Sequence, residues 1–112
     1  MRTLIALLVL TPFAANAAGL DPATKTIMTG QCAACHTIPG IPGAFGDIGP
    51  SLKGISKHPT IAEGKLANNP ANMVKWLMHP QQVLPAAKMP DQGLTSAQAT
   101  KIAAYLATLD KP

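Results

Sequence analysis

Three stretches of the chain space their apolar residues for a helix, and each opens on a recognisable start signal. The first begins at Asp21-Pro22, an N-cap residue followed by proline at the first helical position, and runs through Ile27 and Met28 toward Cys32. The second begins at Asn69-Pro70 and carries Met73, Val74, Trp76 and Leu77. It must stop at His79 because Pro80 follows. The third begins at Thr95, with Gln98 three residues later as a capping box. Its Ile102, Tyr105, Leu106 and Leu109 fall at i, i+3, i+4 and i+7, one face of a helix. No segment alternates apolar and polar residues as a strand does, so the pattern predicts an all-α domain of three main helices.

Long loops separate these helices. Residues 37–68 are rich in glycine and proline (Pro39-Gly40, Pro42-Gly43, Gly46, Gly49-Pro50, Gly54), and Ile38-Pro39-Gly40 is echoed by Ile41-Pro42-Gly43. A second proline-marked segment, Pro80 to Pro90, lies between the second and third helices. Loops this long count against a compact domain unless they have a job, and wrapping a flat cofactor is such a job.

The first residues follow a different logic. Arg2, the apolar run Leu4–Leu10, Pro12 and the small residues Ala14-Ala15-Asn16-Ala17-Ala18 have the order of a secretory signal peptide. The small residues Ala15 and Ala17 place the cut after Ala17, giving a signal at 1–17, a single domain at 18–112 and a periplasmic protein. The run is short against the ~20 apolar residues a bilayer requires, which disfavours a retained anchor. No stable membrane insertion is expected after cleavage.

Composition then narrows the chemistry. The mature chain has three aromatic residues, Phe45, Trp76 and Tyr105. That is a thin core, and small domains with thin cores usually rely on a metal, a disulfide or a cofactor. Eight lysines stand against five acids, with no arginine after Arg2. The missing bidentate fork argues against nucleic-acid recognition. Dispersed lysines suit transient docking onto a protein with an acidic surface, and Lys53, Lys57, Lys75 and Lys88 are the candidates for such a rim.

The chemistry itself sits in Cys32-Ala33-Ala34-Cys35-His36, a C-x-x-C-H sequence holding the only two cysteines of the chain. Two thiols at this spacing lie on one side of a helical turn and can add to the two vinyl groups of haem. The next residue, His36, is then carried under the iron. The pattern is that of c-type haem attachment. The competing readings are a redox-active pair, which belongs near strands that are missing here, and a short structural disulfide, which constrains little chain entropy. Zinc would need two further ligands, for which His58 and His79 are poor candidates. A methionine opposite the histidine would give an electron-transfer iron with a raised potential. Met28 reads as core of the first helix, and Met73 and Met78 as packing on the second. Met89, between Pro85 and Pro90, is the expected distal ligand, with His79 its rival.

These residues resemble those of the class I cytochromes c over essentially the whole mature chain. Four blocks carry the resemblance: C-x-x-C-H, Gly49-Pro50-Ser51-Leu52-Lys53-Gly54, a helix ending in Trp76-Leu77 followed by Lys88-Met89-Pro90, and a last helix with Ala104-Tyr105-Leu106. The resemblance implies long loops wrapped around one haem c, with Cys32 and Cys35 in thioether bonds and His36 and Met89 on the iron. It further implies that the Pro50 carbonyl accepts from the His36 ring, that Leu52 packs on the haem and that Trp76 reaches a propionate. Tyr105 would pack where the first and last helices cross, at a place where Met28 stands instead of the family's frequent aromatic residue. The implied function is single-electron transfer between periplasmic redox partners without substrate chemistry of its own. The alternative is an electron-accepting haem subunit of a periplasmic dehydrogenase or reductase.

Overall fold

The computed structural model describes residues 20–112; the expected signal segment and its cut after Ala17 lie outside the described residues. Four helices form the frame: α1 (Pro22–Gln31), α2 (Pro70–Met78), α3 (Pro80–Val83) and α4 (Ser96–Leu106). Each long helix starts where its cap dictates. The Asp21 carboxylate accepts from the Thr24 N–H at 2.7 Å, and the Asn69 side chain from the Asn72 N–H at 2.8 Å. At α4 the capping box is complete: Thr95 Oγ1 accepts from the Gln98 N–H at 3.1 Å, and Gln98 Oε1 from the Thr95 N–H at 2.9 Å. These bonds satisfy N–H groups that an uncapped first turn leaves without partners.

Two features depart from the three-helix expectation. Pro80 ends α2, but it also opens α3, because proline is well suited to a first helical position. Residues 37–68 are also not structureless. A one-turn 3₁₀ helix spans Ile55–Lys57, and two strands, β1 (Thr60–Ile61) and β2 (Leu66–Ala67), pair antiparallel with Thr60 opposite Ala67 and Ile61 opposite Leu66. Strands of two residues are too short for alternation to show in a sequence.

The core is a single cluster in which α1, α2 and α4 meet. Met28 on α1 and Ile102 on α4 are fully buried, beside the small Ala99 and Ala103. Methionine, with its flexible thioether, fills the place between the terminal helices where a rigid ring is expected. Outside the core, Lys101 on α4 pairs with Asp21 at 2.9 Å and ties α4 to the start of α1.

Tyr105 is buried on α4, yet its hydroxyl donates to the carbonyl of Pro39, 66 residues earlier. Gly40 makes this contact feasible. A Cβ there would collide with the Tyr105 hydroxyl, and its φ of +82° favours glycine independently. A second tie joins the same regions, since the Ser56 N–H donates to the Leu109 carbonyl at 3.1 Å. The long loop is therefore latched to α4 and the residues after it at two places.

Candidate functional site: the Cys32–His36 turn and its cover

Helix α1 ends directly into the C-x-x-C-H sequence. Cys32 is its C-cap, and the Cys32 carbonyl accepts from the N–H groups of both Cys35 and His36, at 3.2 and 3.0 Å. This closed turn fixes the two cysteines and the histidine relative to the helix axis. Both thiols are free and half-buried. Burial pushes the Cys32 thiol above its ordinary pKa, with the neighbouring Cys35 adding to the effect.

The segment Phe45–Pro50 folds back over the turn and holds it through backbone contacts. The Gly49 N–H donates to the Cys35 carbonyl at 2.7 Å, and Thr37 Oγ1 donates to the Gly46 carbonyl at 3.2 Å. Two glycines make the approach possible. A Cβ at Gly46 would stand 2.4 Å from the Ala34 carbonyl oxygen and 2.6 Å from the carbonyl carbon of Cys35. One at Gly49 would stand 2.5 Å from Cε1 of His36. Gly46 and Gly49 thus form a side-chain-free cover over the motif. The doubled Gly-Pro content of the loop hints at close backbone approach without saying which glycines make it.

His36 is oriented by its neighbour across this cover. Its Nδ1 lies 2.7 Å from the Pro50 carbonyl. A carbonyl can only accept, so Nδ1 carries a proton, and in the neutral ring the lone pair then lies on Nε2. That tautomer is the one that suits a metal ligand, and the Pro50 carbonyl fixes the orientation of the ring.

The other singled-out residues are half-buried apolar groups. Leu52, Trp76 and Met89 all pack against the core cluster while keeping part of their surface outside it, as do Cys32, Leu66, Val74 and Met78. Leu52 is tied back to the motif through its N–H, which donates to the Thr37 carbonyl at 2.8 Å. The structure brings His36 and Pro50 into direct contact, while Leu52, Trp76 and Met89 come from three other parts of the fold. His79 is exposed at the α2–α3 junction and His58 is exposed after the 3₁₀ turn. Lys53, Lys57, Lys75 and Lys88 are exposed as well.

Sequence reasoning missed two side chains near the site. Asn68 Nδ2 donates to the carbonyls of Ile55 and His58 at 2.8 and 2.9 Å, holding the 3₁₀ turn to the hairpin. Gln81 on α3 reaches the backbone at Met89. The chain pattern offers no signal for Gln81, because a helix of four residues is too short to show apolar spacing.

The described residues form a mostly helical domain in which α1 runs straight into the C-x-x-C-H turn. The family model for cytochrome c matches residues 23–110, and the chain belongs to that family. It is a class I c-type cytochrome, its cofactor is covalently bound haem c, and its role is haem-based electron transfer. No curated protein matches the chain. The residues present fit the cofactor: the chain supplies two thiols for the vinyl groups, a nitrogen donor with its lone pair free, and a soft thioether in Met89. Among the described residues no helix is long and apolar enough to cross a membrane.

Proposed function

We propose that this protein carries one electron at a time between periplasmic partners, with a single haem c joined to Cys32 and Cys35 and ligated by His36 and Met89. When bound, the haem supplies an iron that alternates between the ferric and ferrous states. The chain's part is to keep both ligands in place through that change. His36 is held by the Pro50 carbonyl and by the glycine cover, so its ring has little freedom to rotate. Met89 would close the other side, leaving no open coordination position and hence no substrate chemistry. Leu52 would pack on the porphyrin, and Trp76 would direct its indole N–H to a propionate. The signal segment at 1–17 would deliver the chain to the periplasm, where thiols and haem are joined.

The observation that carries this reading is the 2.7 Å contact between His36 Nδ1 and the Pro50 carbonyl, which would leave Nε2 of the neutral ring to bind the iron. Intact-mass analysis of protein from a maturation-competent host should show one added haem. The ferric spectrum should contain a methionine-to-iron charge-transfer band that Met89→Ala abolishes. Bare polypeptide defeats the haem assignment, and a band that survives Met89→Ala defeats the distal-ligand assignment.

A second reading, the haem subunit of a dehydrogenase or reductase, draws on one observation. Phe45 and Ile48, on the segment covering the motif, are 82% and 79% exposed. Large apolar side chains so exposed suit a lasting interface better than a brief encounter. A free carrier docks through its lysines, so its electron-transfer rate should fall steeply with ionic strength. A subunit should instead co-purify with a larger protein at native levels.

A further inference from the structure

We infer that Gln81 is a positioning residue for Met89: it clamps the backbone of the segment that presents the thioether. The inference rests on the assignment of Met89 as distal ligand. Gln81 Nε2 donates to the Met89 carbonyl at 2.7 Å and to the Ala87 carbonyl at 3.2 Å. Both partners can only accept, so the amide NH₂ must face them, and its two N–H groups match two acceptors.

The clamp has a fixed root and a loose load. Pro80, one residue before Gln81, is fully buried, and the Leu84 N–H donates to the Pro80 carbonyl at 2.9 Å. Helix α3 is thereby anchored in the core while Gln81 lies on its outer side. The segment it reaches is poorly held by comparison. Pro85 and Pro90 have no N–H to donate. Besides the clamp, residues 85–90 make two hydrogen bonds among the described residues. One runs from the Ala87 N–H to the Leu84 carbonyl at 2.8 Å, and one from Gln92 Nε2 to the Pro90 carbonyl at 3.1 Å. Neither involves the backbone of Met89.

A neutral thioether has no charge and nothing like the bond from the His36 ring to the Pro50 carbonyl to hold it. Its persistence on the iron depends on how often the loop swings away. A competing ligand binds only the swung-away form, so its apparent dissociation constant varies inversely with the population of that form. Loss of two neutral hydrogen bonds shifts such a local equilibrium by about tenfold.

The test is a titration of ferric holoprotein with imidazole, following the methionine-to-iron charge-transfer band. Wild type, Gln81→Ala and Gln81→Glu are compared. Gln81→Glu keeps the shape but sets a carboxylate against the two carbonyls. The imidazole concentration that removes half the band should fall about tenfold in Gln81→Ala and at least as much in Gln81→Glu. Unfolding breaks the same two bonds, so the urea midpoint should fall by no more than the equivalent of that tenfold change. Wild-type imidazole affinity in both variants overturns the inference. A fall in the urea midpoint with unchanged imidazole affinity marks Gln81 as merely structural and overturns it as well. Met89→Ala is the parallel arm: if it leaves the wild-type band intact, Met89 is not the ligand and both the assignment and the clamp fall.

Discussion

Replacing Gly46 by alanine tests the glycine cover directly, and its size can be worked from the contacts. Gly46 does not occupy the left-handed region, so its backbone conformation is open to alanine; only space opposes the substitution. The added Cβ would sit 2.4 Å from the Ala34 carbonyl oxygen, 2.5 Å from its carbon and 2.6 Å from the carbonyl carbon of Cys35. All three atoms belong to backbone held by the Cys32–His36 turn, so they cannot rotate away as a side chain would. The segment 45–50 then has two options. Staying in place incurs the overpacking cost of about 1–3 kcal/mol. Swinging outward gives up the bonds from Gly49 N–H to Cys35 and from Thr37 Oγ1 to Gly46, at about 0.5–1.5 kcal/mol each, and exposes the turn. The two routes overlap, and a loss of about 2–3 kcal/mol follows either way. With a urea slope of about 2 kcal/mol/M, the unfolding midpoint falls by about 1–1.5 M. Urea titrations followed by circular dichroism measure this. Gly30→Ala is the matched control. Gly30 lies in α1, and a Cβ there meets nothing within 4 Å. That substitution should stabilise the protein by up to about 1 kcal/mol through helix propensity. A midpoint change below about 0.3 M in Gly46→Ala, against the same slope, refutes the argument. Equal and opposite-to-expected shifts in both variants refute it as well.

Further outcomes follow from neighbouring contacts. Gly49→Ala would press on the His36 ring from 2.5 Å, tilting it off the Pro50 carbonyl; stability should fall by about 1–3 kcal/mol and the reduction potential should change. Spectroelectrochemical titration checks this, and an unaltered potential counts against the cradle. Tyr105→Phe removes the hydroxyl bond to Pro39, and a loss of about 1–2 kcal/mol in urea unfolding is expected. Asp21 titrates at about 2 instead of 3.8, first because the Thr24 N–H bonds its carboxylate and then because Lys101 pairs with it. The folded state favours the charged form, so this contribution is complete above about pH 4 and is lost as pH falls toward 2. Asp21→Asn caps the helix in a form that does not titrate, so its urea midpoint should fall less steeply across that window than the wild type's.

Sequence made some of this legible and hid the rest for physical reasons. The starts of α1, α2 and α4 were readable because caps act locally: Asp21, Asn69 and Thr95 each bond an N–H three residues on. The C-x-x-C-H motif was readable because its spacing is itself the chemistry. Helix α3 was not, since Pro80 stops one helix and starts another with the same residue. The hairpin escaped because its turn uses left-handed Ala62 and Glu63, residues that do not advertise such a conformation. The roles of Gly46 and Gly49 depend on what lies across from them, Ala34 and His36, and the chain does not record that pairing. Gln81 looks like any polar residue on a short helix until the carbonyls of Ala87 and Met89 come round to meet it.

The two latches on the long loop carry a consequence for the order in which the protein is made. Pro39 waits for the hydroxyl of Tyr105, and Ser56 waits for the carbonyl of Leu109. The ribosome releases the chain from its N-terminal side, so the loop around the Cys32–His36 turn emerges before the residues that fasten it. Fastening comes with residues 105–109, so the loop is latched only after nearly the whole chain has emerged.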